Sequence, residues 1–96
     1  MRYVLRPGMV RTQICGVYLL IPDREAAESC PHIQRMNLIM ASTVEFIEKG
    51  EPYEKAYVIS EILQKKSKEE AQAYIDTMCA NLCDKGFLIR VEDDEP

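Results

Sequence analysis

The stretch Ser67–Val91 (SKEEAQAYIDTMCANLCDKGFLIRV) constrains the fold more than any other part of the chain. Ser67 and Glu70 are spaced as a capping box, in which hydroxyl and carboxylate satisfy amide N–H groups that a first helical turn leaves unpaired. Ala71, Ile75, Met78, Cys79, Leu82 and Cys83 then recur at helical spacing and make one apolar stripe. Lys85 places a cation at the negative end of the helix dipole, and Gly86 supplies the left-handed residue that ends the helix. Phe87-Leu88-Ile89 continues against the core as a short strand or extended tail. A helix with one apolar face is not stable alone, so the rest of the chain must supply the surface it packs on.

The N-terminal third reads as β-structure. Arg6-Pro7-Gly8 is a turn signal, and Met9–Ile14 suits a strand. Cys15-Gly16 marks a tight hairpin connection into a second strand over 17–21, which Pro22 ends. The segment 23–30 is a polar loop with room for one helical turn. A third strand over 32–36 follows Pro31; it is the least apolar of the three, as suits an exposed edge. From Asn37, an N-cap, the chain is helical: 38–48, then 52–64 with Pro52 at the first position, then 68–85. Leu19, Ile21, Val44, Ile47, Ile59, Leu63, Ile75, Met78 and Leu82 are the expected core.

This order predicts an α+β, winged-helix-like fold: a three-stranded antiparallel sheet followed by three helices, in a single domain over 1–96 with a frayed acidic tail at 92–96. A hydrophobic fraction of 47% fits a folded chain, and a net charge of -4 disfavours nucleic acid and anionic membranes as partners. No apolar run approaches the roughly 20 residues of a membrane span, and the opening MRYVLRPGM lacks a signal-peptide apolar region. The expected location is the cytoplasm, with Cys15, Cys30, Cys79 and Cys83 as reduced thiols.

Catalysis has no visible constellation. His32 is the only histidine, and no spacing joins it to a nucleophile. Cys30, His32, Cys79 and Cys83 would make a zinc site only if strand and helix met there, and none has the short CxxC spacing of a zinc ribbon. Buried thiols packing as small hydrophobes account for them better. We therefore expect no enzyme activity, no cofactor and no metal.

An edge strand beside the last helix frames a slot in which an extended peptide can add as a strand. His32, Ile33, Gln34 and Arg35 are the strand-side candidates for contact. Helical periodicity leaves two flanks open on the other wall: Asp76, Cys79 and Cys83 are the first choice, Tyr74 and Asn81 the second. The same edge could instead pair with a second copy of the chain as a homodimer.

Over residues 3–91 the chain resembles the PqqD-like family, the precursor-peptide recognition domains of ribosomal peptide modification. The residues that carry the resemblance are the opening Leu5–Met9 (LRPGM), the 17–21 strand, the Met36-Asn37 pair at the strand–helix junction, and the close Leu82-Cys83-Asp84-Lys85-Gly86-Phe87-Leu88. Ile39 and Met40 depart from the small or hydroxylated residues usual after the Asn, and Cys79 and Cys83 stand at aliphatic positions. The resemblance implies an adaptor that holds the leader of a precursor peptide for a separate modifying enzyme, often a radical S-adenosylmethionine protein. It also implies that the leader pairs antiparallel along the third strand and leans on the last helix.

The competing reading is a winged-helix regulatory or DNA-linked interaction module. Its recognition helix would carry Glu69, Glu70, Asp76 and Asp84 against Lys68 and Lys85, and an acidic helix repels phosphate.

Overall fold

A two-residue turn starts the sheet. In the computed structural model, which describes residues 2–92, Cys15 and Gly16 both take positive φ (51° and 78°), the twist a tight hairpin needs. They join β2 (Met9–Ile14) to β3 (Val17–Pro22) in a register running from Met9 opposite Pro22 to Ile14 opposite Val17. β4 (Gln34–Met36) adds antiparallel to β3, with Leu20 opposite Gln34 and Tyr18 opposite Met36. The strand expected over 32–36 is thus shorter: His32 and Ile33 precede it as irregular backbone. Between β3 and β4, α1 (Ala26–Ser29) forms one turn, its start held by the Asp23 carboxylate, which accepts from the Ala26 N–H at 2.8 Å.

The helices follow in the expected order. Asn37 caps α2 (Leu38–Glu48), its Oδ1 accepting from the Met40 N–H at 2.8 Å. α3 (Lys55–Gln64) begins three residues later than Pro52 suggests. Bonds from the Lys55, Ala56 and Tyr57 N–H groups to carbonyls three residues back make this entry a tighter turn. α4 (Lys68–Asp84) carries the complete capping box between Ser67 and Glu70 and gives way to Gly86 at φ 95°.

One sheet was not anticipated. β1 (Arg2–Leu5) pairs antiparallel with β5 (Leu88–Val91), Arg2 facing Val91 and Leu5 facing Leu88. The turn after β1 is fastened to the same place: the Arg6 N–H donates to the Phe87 carbonyl at 3.0 Å, and Arg6 Nε donates to the Gly86 carbonyl. Of the short strand or extended tail expected after α4, the strand is what forms, and its partner, residues 2–5, is what the sequence reading did not supply. Of the acidic tail expected at 92–96, residues 93–96 lie outside the described residues.

The α+β class, the three-stranded antiparallel sheet and the helices that follow it agree with the sequence reading. Val44, Ile47, Ile75, Met78 and Leu82 are buried as expected. The assignments in β3 and α3 are corrected. Side chains alternate along β3, and its partners Met9 and Met36 put Tyr18, Leu20 and Pro22 on the inner face, so Leu20 is fully buried. Leu19 and Ile21 fall on the outer face and are half-buried. α3 turns its small residues Ala56 and Ser60 inward, which leaves Ile59 half-buried and Leu63 56% exposed.

This packing gives a direct check by urea unfolding. Leu82, 2% exposed at the centre of the core, is expected to lose about 2–5 kcal/mol on change to Ala. Leu63→Ala is expected to stay within about 0.5 kcal/mol. A larger effect at Leu63 than at Leu82 would contradict the arrangement of α3 and α4.

Candidate functional site

Among the described residues, β4 pairs on one side only, with β3. α4 faces its open side. At one end Lys85 Nζ donates to Gln34 Oε1 at 3.4 Å, and at the other Asn37 Nδ2 donates to the Tyr74 hydroxyl at 3.2 Å. These two contacts set α4 antiparallel to β4, and an open groove of about 640 Å³ runs along α4 and reaches β4 at Gln34.

Apolar side chains make the floor of this groove: Met78 and Leu82 of α4, both buried, and the half-buried Met40 of α2. Ala73, Tyr74, Thr77 and Asn81 form the helix wall. Lys66 and Glu70 stand at the end nearer the helix start, Gln34 and Lys85 at the other. The Lys66 ammonium lies 4.0 Å from the centre of the Tyr74 ring, a cation–π contact that holds this cation beside the helix wall. The Ser67 backbone N–H, then its hydroxyl, lowers the pKa of Glu70, whose carboxylate is engaged by the cap. Gln34 bridges the second end: its Nε2 donates to the Arg35 carbonyl at 2.6 Å while its Oε1 accepts from Lys85.

Of the seven residues chosen from sequence, Gln34 alone lines this groove. His32 and Ile33 are exposed but lie before the strand, and Arg35 is exposed on the opposite face of the sheet, which it shares with Leu19. Asp76 turns toward α3 and accepts from the Tyr57 hydroxyl at 2.6 Å. Cys79 is fully buried, and Cys83 is half-buried against the core. The choice of helix flank is therefore corrected. At about 100° per residue, residues 76, 79 and 83 fall on one side of the Ile75 stripe and residues 74, 81 and 85 on the other. The first side is occupied by α3, the second by the groove. Tyr74 and Asn81, the second choice, are the residues in place. Lys66, Ala73, Thr77 and Lys85 were not singled out, although residues 70, 73, 74, 77, 81 and 85 recur at helical spacing as a second stripe of small and polar side chains.

A smaller concavity of about 460 Å³ lies between β1 and the turn from α2 to α3, floored by Ile47 and rimmed by Glu48, Glu51 and Glu54. Its lining carries three carboxylates and one cation, Arg2, whereas that of the α4 groove carries two lysines and one carboxylate, Glu70. Among the described residues no group of three His, Cys, Asp or Glu side chains is placed to hold a metal ion. Cys30 is spent locally, its thiol donating to the Lys85 carbonyl at 3.2 Å. No helix among the described residues is long and apolar enough to cross a membrane.

No protein-family model matches this chain, and no curated protein or solved structure is found similar to it.

The closed flank has a chemical signature. Burial first, then the charges of Asp76 and Glu54, pushes the Cys79 thiol up from 9.0 to about 12. Burial and the hydrogen bond to Asp76 also raise the Tyr57 hydroxyl above its ordinary value. Cys79 is expected to escape alkylation by iodoacetamide in the native protein at about pH 8.5, where exposed Cys15 reacts; mass spectrometry of the digests reads the difference. Both folded values lie above the ordinary ones, so the stability these groups contribute is complete below pH 9.0 and declines as pH rises toward 12. Urea midpoints that stay level across that window would contradict the closed flank.

Proposed function

We propose that this chain is a peptide-recognition module of the PqqD-like kind, binding an extended segment along β4 with its side chains against α4. One observation carries the reading: among the described residues, β4 pairs along one edge only, and its other edge lies beside a groove with an apolar floor. An added strand satisfies backbone groups that otherwise face water, and the floor accepts alternate side chains. Main-chain hydrogen bonds along β4 contribute about 0.5–1.5 kcal/mol each. The floor adds roughly 25 cal/mol per Å² of apolar surface removed from water.

The arrangement of the resembling segments supports the reading. The opening Leu5–Met9 and the close Leu82–Leu88 meet, through the two bonds that Arg6 makes to Gly86 and Phe87. The Met36-Asn37 pair stands where β4 ends and α2 is capped, at the rim of the groove. In this reading the chain is a non-catalytic adaptor in the cytoplasm. It holds the leader of a ribosomally made precursor for a separate modifying enzyme, of the radical S-adenosylmethionine kind or another.

Dodecapeptides selected from a random displayed library on the intact chain provide the test. Amide shifts on adding a selected peptide are expected at Gln34–Met36 and at Ala73, Thr77 and Asn81. Thr77→Trp fills the groove at an exposed position; it should weaken binding by about tenfold or more and leave the urea midpoint unchanged. Shifts confined to 55–64 would sink the proposal. So would a β4 edge that a second copy already occupies in solution.

A further inference from the structure

A lysine stands at each end of the groove. Lys66 is held over Tyr74 at one end, and Lys85 reaches Gln34 at the other. Glu70 shares the first end, with its carboxylate engaged by the Ser67 N–H. The groove therefore presents two lysines against one capped carboxylate, on a chain whose net charge is -4. Between these ends the floor is apolar: Met40, Met78 and Leu82.

Resting on the peptide-binding reading, we infer that the groove selects an acidic peptide in which an apolar residue is flanked on both sides by carboxylates, one meeting Lys66 and the other Lys85. Helical rise fixes the spacing. Tyr74, which positions Lys66, and Lys85 are eleven residues apart on α4 and its cap, about 16 Å at about 1.5 Å per residue. Extended backbone covers that span in about five residues. Side chains that share one face of a strand are an even number apart, so the two carboxylates stand about four to six residues from each other with the apolar residue between them. Each end offers one lysine, Lys66 beside the ionised Glu70 and Lys85 beside the uncharged Gln34, so the same composition fits whichever way the peptide runs along β4, with the stronger charge contact at Lys85. Lysine–carboxylate contacts at a half-open rim are screened by salt, whereas the apolar centre is not.

The experiment uses one peptide enriched from the random library and two synthetic relatives of it, with every Asp and Glu changed to the amide or to Lys. Titrations are run on the intact chain and on the Lys66→Gln, Lys85→Gln double variant, whose folding is checked by its urea midpoint. The acidic peptide is expected to bind about five- to tenfold more tightly than its amide relative at about 50 mM salt, with the gap closing at about 0.5 M. The lysine relative should bind weakest, and the double variant should no longer separate the acidic and amide forms. If the amide peptide binds as tightly as the acidic one and still shifts Thr77 and Asn81, the charge inference falls and the peptide reading stands. If the library yields no groove-binding sequence, both fall together.

Discussion

Burial of one stripe of α4 decides where everything else can lie. Ala71, Ile75, Met78 and Leu82 are removed from water together, while Glu69, Asp76, Thr77 and Asn81 keep the rest of α4 in contact with it. Covering the stripe takes the inner face of the sheet, through Leu20 and Met36, and the C-terminal Phe87 and Leu88. α3 then closes one flank, with Ala56 and Ser60 allowing a near approach and the Tyr57–Asp76 hydrogen bond sealing its edge. Among the described residues no helix covers the remaining flank. It faces β4 across open space, and the groove is what packing leaves over once the stripe is satisfied.

Much of this was legible because it is local. The capping box at Ser67, the Asn37 cap, the Cys15-Gly16 turn and the stripe of α4 each lie within a few residues of chain, where short-range geometry rules. What escaped reading depends on partners far away in sequence. Arg2–Leu5 has no strong strand signature of its own and becomes a strand because Leu88–Val91 offers it an edge. Leu19 and Ile21 could not be told from Leu20 in a strand of continuous apolarity, since alternation shows a face only when the other face is polar. Leu63 looked inward by helical spacing, yet α3 approaches its neighbours through Ala56 and Ser60 instead.

The candidate site shows the same limit more sharply. An edge strand beside the last helix could be anticipated from Pro31 and the polarity of 32–36, and β4 is such an edge. Which flank of α4 faces it could not, because Asp76, Cys79 and Cys83 and the set Tyr74, Asn81 and Lys85 are symmetric about the stripe in the helical pattern. Only the position of α3 breaks that symmetry. The thiols drew attention as chemically distinctive side chains; burial makes Cys79 inert, while the plainer Thr77 and Ala73 shape the open wall.

The antiparallel pairing of β1 with β5 has a consequence of another kind. Arg2 stands directly opposite Val91, so the described chain enters and leaves the fold side by side, on strands that do not line the groove. A unit whose two ends meet can be spliced into a loop of a larger protein without stretching either partner. For such a fold, standing alone and sitting as an insertion are geometrically equivalent, because neither arrangement disturbs the side of α4 on which the groove lies.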